Sequence, residues 1–402
     1  MQSTRVVVLC FVSLLLCRMA LAAPDRLPEG KPLPVLAWSG VPQAETSAAR
    51  YRELADCGFT LDFSSFSDPE NAIKALDAAN EAGVRLILSC PQLESDPAKT
   101  ANRLKGHPAL AGYFLRDEPD TTAFPTLARW AEQIRSADPD HVLYINLLPN
   151  YATTDQLRAA TYAEYVDRFA KAVPAATFLS FDFYPIVGTS VRPSWYENLE
   201  VLSAAARKAD KPFWAFALSL RHFGYPAATI ENLREEVYSN LAYGAQGIQY
   251  FTYWQPTSFE CGDSPIDAKG KRTAVYDVVK RMNAEIRAIS PVFEGCKVLS
   301  VVHTGQHIPA GTRAFEAAAP IKSVHTEGDG AIVSRLANGP RQFLVIVNRD
   351  IAHAMPTTVT FNSSTAIDRV DKEGQLHPID GAAADAKVEP GDAVIFSWAP
   401  SR

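Results

Sequence analysis

No basic run occurs anywhere in this sequence. Its 45 acidic residues outnumber 39 basic ones, for a net charge of −6. That balance removes the electrostatic footprint of a nucleic-acid binder or of a protein held on an anionic membrane surface. No strand-like run is followed by a GxGxxG or Walker loop, so phosphate-cradling nucleotide sites are excluded. The six cysteines include no CxxC pair, and His107, His141 and His222 are scattered without ligand spacing. No metal is therefore expected, and nothing else in the chain calls for a cofactor. Beyond the N-terminus no apolar stretch approaches the ~20 residues of a membrane span, so no stable membrane insertion is expected. Internal repeats and exposed apolar stripes are lacking too, which argues against a scaffold module.

The first residues are read as a targeting segment. Arg5 opens it, residues 6–16 are an apolar core, and Ala20-Leu21-Ala22 satisfies the small-x-small rule, which places cleavage after Ala22. A lipoprotein signal would need Cys17 as its anchor, but Leu16 stands where a small residue is wanted. The mature protein is thus expected to be secreted or periplasmic. Cys57, Cys90, Cys261 and Cys296 remain in it. Export permits disulfides, and four cysteines allow three pairings, among them Cys261 with Cys296; buried free thiols are the other possibility.

From Leu33 onward, apolar strand-like runs alternate with stretches of 3.6-residue apolar spacing. The strands are expected at 34–39, 59–64, 84–89, 110–115, 142–147, 178–184, 213–219 and 247–254. Amphipathic stretches such as Leu127-Trp130-Ile134 and Leu233-Val237-Leu241 separate them. Gly58, Gly83 and Gly247 precede strands, where a left-handed residue closes the foregoing helix. Strict alternation requires parallel strands with crossover helices, and eight units in about 260 residues fit a (β/α)8 TIM barrel. After a helix at 273–289 the pattern changes. Runs at 298–302, 331–334, 342–347, 357–361 and 393–398 read as a small C-terminal antiparallel β-sandwich of roughly 100 residues. The expected organisation is a signal peptide at 1–22, the barrel at 23–292 and the sandwich at 293–402.

In such a barrel, chemistry is placed at the C-terminal ends of the strands. The fourth strand ends Gly112-Tyr113-Phe114-Leu115-Arg116-Asp117-Glu118-Pro119. Pro119 cannot donate to a ladder, so the strand stops there and presents two adjacent carboxylates. The other ends supply Trp38, Asp62, Asn146, Asp182 with Tyr184, and the Tyr253-Trp254-Gln255-Pro256 run. Aromatic rings stack on the apolar faces of sugars, while Asp, Asn and Gln bond their hydroxyls. Trp38, Asp62, Asn146, Tyr184, Tyr253, Trp254 and Gln255 are therefore the candidate substrate contacts, with Trp254 the foremost stacking platform. Asp117, Glu118 and Asp182 are the candidate catalytic residues.

In the Glu-Pro motif and its place on the fourth unit, the chain resembles the (β/α)8-barrel glycoside hydrolases. The likeness is to clan A, whose acid/base is a Glu followed by Pro at the end of strand four. It covers about 33–289, and the trailing sandwich resembles the small domains often attached to such barrels. The resemblance implies Glu118 as general acid/base and an oligosaccharide or polysaccharide as substrate. Two departures stand out. Asp117 replaces the usual Asn, and strand seven, Trp214-Ala215-Phe216-Ala217-Leu218-Ser219-Leu220, carries no Glu nucleophile. Three readings follow. Asp182 serves as second carboxylate across the gap of roughly 6.5–9.5 Å that inverting hydrolysis needs. Alternatively, Asp117 and Glu118 act as a pair on a 2-acetamido sugar whose own amide is the nucleophile, as in some barrel hexosaminidases and chitinases. That second reading meets a difficulty, since strand neighbours face opposite sides. Finally, the barrel binds glycans without cleaving them.

Overall fold

The computed structural model describes residues 26–27, 30–362 and 365–399. The expected signal peptide, with Cys10 and Cys17, lies outside these residues. Eight parallel strands close into a barrel: β1 (Val35–Trp38), β2 (Leu61–Ser65), β3 (Arg85–Ser89), β4 (Leu110–Asp117), β5 (Val142–Leu147), β6 (Leu179–Phe181), β7 (Phe213–Leu218) and β8 (Ile248–Phe251). They are ordered consecutively around the barrel, with β8 returning to β1. Helices cover the outside. Several open on a side chain that accepts an orphan amide of the first turn, as Ser47, Asp68, Thr161 and Thr229 do.

The barrel interior is aromatic. Phe178 and Trp214 stack at 4.1 Å between ring centres, and Trp38 lies 4.5 Å from Phe63 and 4.9 Å from Phe114. This packing corrects one expectation. Gly58 and Gly83 are left-handed helix ends, but Gly247 is not; Gly244 takes that conformation. A Cβ on Gly247 would sit 2.5 Å from the Trp214 ring, so glycine is there for room. Two strands are shorter than expected. β6 stops at Phe181 and β8 at Phe251, so Asp182 and the 252–256 segment belong to loops.

The sandwich has two antiparallel sheets. One holds β9 (Lys297–His303), β11 (Ala331–Asn338), β12 (Arg341–Asn348), β14 (Asp368–Val370), β15 (Leu376–Pro378) and β17 (Ala393–Trp398). The other holds β10 (Ile321–Thr326), β13 (Met355–Phe361) and β16 (Ala383–Val388). The larger sheet presses Ile332, Leu336, Phe343 and Ile395 onto the barrel helices Ile230–Ala242 and Ala274–Phe293, in one continuous apolar core. Within this seam lies a charged cluster. Arg234 pairs bidentately with Glu285 at 2.6 and 3.0 Å and reaches Asp392 at 3.2 Å. Lys372 contacts Asp392 and donates to the Tyr238 hydroxyl at 2.8 Å.

The four cysteines Cys57, Cys90, Cys261 and Cys296 are free thiols. A Cys261–Cys296 bridge is not formed. Cys261 lies in the loop after β8 against the Pro256 carbonyl, whereas Cys296 packs beside Gln246, before β8 begins. The two therefore belong to opposite ends of the barrel.

Removing Asp392 would leave Lys372 and one side of Arg234 unpaired in the seam. Asp392→Ala is expected to cost about 3–5 kcal/mol, the range for breaking a buried ion pair. Urea unfolding measures it; a loss below about 1 kcal/mol, the worth of an exposed pair, would show that the seam does not depend on this cluster.

Candidate active site

The acidic end of β4 is built by an irregularity in its pairing with β5. Phe114 lies opposite Tyr144, but Arg116 lies opposite Ile145 and Asp117 opposite Asn146. One extra residue is therefore accommodated on β4. Without this bulge Arg116 would stand beside Asn146, and Asp117 would face away. Glu118 then takes a left-handed conformation, φ +43°, and its amide donates to the Asn146 carbonyl at 2.9 Å. The turn is locked from behind by Tyr165, whose hydroxyl donates to the Pro119 carbonyl at 2.7 Å. Bulge and turn together defeat strand alternation, so Asp117 and Glu118 line the same pocket. Left-handed backbone at a non-glycine residue is costly, and such strain collects at functional positions.

A single amide organises the carboxylates. Asn146 Nδ2 donates to Asp117 Oδ1 at 3.1 Å and to Asp182 Oδ1 at 3.0 Å. Its carbonyl accepts from Ser180 Oγ at 2.9 Å, which in turn accepts from Gln249 Nε2 at 2.9 Å. Glu118 and Asp182 line the same pocket, near enough for the charge of Glu118 to act on Asp182.

Solvent reaches Asp117 and Glu118, yet the carboxyls lie among aromatic walls. Loss of hydration pushes all three acids up. The charge of Asp117 raises Glu118 further, and the charges of Glu118 and Asp117 raise Asp182 further; Asn146 partly offsets the rise at Asp117 and Asp182. Lysine and arginine are absent from the pocket lining among the described residues. Arg192 is engaged with the Tyr151 ring and the Tyr225 hydroxyl, and Arg221 pairs with Asp263 at 2.6 Å. Among the described residues Asp182 forms no ion pair with Arg116 or Arg221. With three raised acids and no cation among them, the site can hold a proton and present negative charge around it.

Solved structures share this architecture. A proposed α-galactosidase from Bacteroides fragilis superposes with a TM-score of 0.53 at 11% identity, over 92% of this chain and 80% of its own. A β-L-arabinopyranosidase from Geobacillus stearothermophilus, bound to arabinose, gives 0.52 at 8% identity, over 93% and 98%. The chain has the fold of the barrel glycosidases. No family model and no curated protein matches the sequence.

Of the expected substrate contacts, Trp38, Asn146 and Tyr184 line the pocket with the three acids. The others do not. Asp62 sits on the outer face of β2, where it accepts from the Val41 amide at 2.8 Å and from Ser64; burial pushes it to about 7. Tyr253 is core, its ring 5.4 Å from Phe59. Trp254 and Gln255 follow the early end of β8 into a separate groove, where the Arg50 guanidinium lies 5.0 Å from the Trp254 ring centre. Gln255 is spent on the Cys261 carbonyl at 3.2 Å.

The pocket also recruits Tyr151, Phe216, His222, Phe223, Tyr225, Phe251 and Phe259, none of them singled out from sequence as substrate contacts. Burial pushes His222 down, so it is a neutral wall. At strand seven the nearest acid is Glu236, on the helix behind. It accepts the Leu218 amide at 2.7 Å, and burial pushes it well up, so it supplies no carboxylate to the mouth.

The folded protein holds the protons of Asp182 and Glu118 more tightly than the unfolded chain does. Stability should therefore fall as pH rises from the ordinary carboxylate range through the raised folded values. Asp182→Asn relieves this, and its melting temperature should exceed that of the wild type by more at pH 8 than at pH 5. A difference independent of pH would mean that no extra proton is held.

Proposed function

We propose that this protein is a glycoside hydrolase acting on an oligosaccharide or polysaccharide, with Glu118 as general acid. The observation that carries the reading is the convergence of Asp117, Glu118 and Asp182 on one aromatic-walled pocket at the C-terminal ends of the strands. The fold shared with known glycosidases supports it.

In the empty site Glu118 carries the proton, since lost hydration and the charge of Asp117 both push its carboxyl up. An entering glycosidic oxygen takes that proton as its bond to the anomeric carbon breaks. Positive charge then develops on the sugar ring, and the carboxylates of Asp117 and Asp182 stabilise it. Trp38 and Tyr184 offer apolar faces to the ring. The pairing of Asp117 with Glu118 on one wall favours the route in which a 2-acetamido oxygen attacks and Asp117 orients it. That route needs no acid on strand seven.

The experiment is reducing-sugar release from a panel of oligosaccharides and polysaccharides, N-acetylated ones included, by the wild type and Glu118→Gln. Wild-type release should fall by about 10²–10⁴-fold in the variant, the worth of a positioned acid. Near-normal release by Glu118→Gln would overturn the assignment. Binding without release by the wild type would make the barrel a glycan-binding protein.

We place this activity outside the cytoplasm, on the apolar core at 6–16 and the Ala20-Leu21-Ala22 signature. Mass spectrometry of the exported protein should find Ala23 at its N-terminus, whereas an intact Met1 would refute export.

A further inference from the structure

Beyond β7 the chain forms a short ribbon that stands over the pocket. Arg221–His222 pairs antiparallel with Cys261–Gly262, and His222 bridges Tyr225 across the ribbon's tip. The tip is Phe223-Gly224, with φ +43° and +90°. A two-residue hairpin turn with both residues left-handed favours Asn-Gly. Phenylalanine in its first position is strained.

Phe223 is also 76% exposed, more than any other large apolar residue described. Its ring stacks on Phe259, at 5.3 Å and 26°, and both rings line the pocket that holds the acids. Phe223 thus bears two costs at once, backbone strain and an exposed aromatic surface. The fold recovers neither, since the side chain enters no core cluster. A purely structural tip would carry asparagine or glycine.

We propose that Phe223 and Phe259 form a stacking platform for a second sugar ring, so that the substrate spans at least two sugar units. This inference rests on the glycosidase reading and adds to it the extent of the substrate. The apolar C–H face of a pyranose covers the paired rings, as apolar surfaces generally cover aromatic ones. The adjoining unit then lies against the acids of the same pocket. The platform stands on the ribbon in which Arg221–His222 pairs with Cys261–Gly262 and Arg221 meets Asp263.

The test measures calorimetric binding of cellotetraose, maltotetraose, chitotetraose and galactotetraose, and of the matching monosaccharides, in the Glu118→Gln background, with and without Phe223→Gly. The tightest tetrasaccharide should lose at least tenfold in affinity in the glycine variant, and monosaccharide binding should change less than twofold. The melting temperature should hold or rise, because glycine relieves the left-handed strain. Tetrasaccharide affinity within twofold of the parent, with Glu118-dependent hydrolysis intact, overturns the platform and leaves the glycosidase reading standing. A clear drop in melting temperature overturns it too, by showing that Phe223 serves the fold. If no tetrasaccharide binds either protein and no sugar is released by the wild type, both readings fall.

Discussion

The two N–H bonds of one amide hold the candidate site together. Asn146 spends one on Asp117 from the strand before it and one on Asp182 from the loop after the next. No other group on the strand could do this. A carboxylate at 146 would repel both acids, and an apolar residue would leave them without a donor. The demand runs backward into the strands. β4 must bulge to bring Asp117 into register and Glu118 must turn left-handed, whereas Asp182 keeps the inward face of Ser180, two residues before it. The departures from regular strand geometry at the end of β4 are what bring Asp117 and Glu118 beside Asp182.

Buried charge is treated in opposite ways at the two ends of this molecule's architecture. In the seam between barrel and sandwich, Glu285 and Asp392 meet Arg234 and Lys372, and the ions balance. In the pocket, three acids meet no cation. The first arrangement fixes one solid against another. The second leaves an imbalance that only a proton, or positive charge developing on a bound molecule, can relieve. Glu236, behind β7, shows a third solution: a buried acid, pushed well up, that accepts a backbone amide.

The barrel was legible because alternation of apolar runs and amphipathic stretches carries both strand order and parallelism. Eight expected strands and five of the sandwich strands appear within a few residues of their places. The sandwich strands that escaped notice are β10, β14, β15 and β16. β16, Ala383–Val388, has five small or polar residues out of six, and β10 exposes three of its six side chains. Asp117, Glu118, Asn146, Asp182, Trp38 and Tyr184 were legible as strand ends. Asp62 and Trp254 lie outside the pocket for different reasons: Asp62 takes the outer face of β2, which nearness to a strand's end does not reveal, and Trp254 follows a strand that stops at Phe251. Phe223 and Phe259 were missed because they arrive on a ribbon whose pairing joins segments some forty residues apart. The Phe-Gly dipeptide at the tip was the available signal, since Gly in that position marks a left-handed turn.

The file of side chains beneath the site has a further meaning. Barrels of this class are filled by stacked apolar layers, which insulate the mouth from the base. Here Gln249 and Ser180 set a short run of dipoles among the aromatic rings, ending on Asn146. A change at Gln249, buried and beyond reach of any sugar, would alter how firmly Asn146 is polarised and so the acidity of the carboxyls above it. The rim rings that meet a ligand would be untouched. Acidity and ligand preference are therefore governed by separate sets of residues in this barrel, and a lineage could drift to a new ambient pH while keeping its diet.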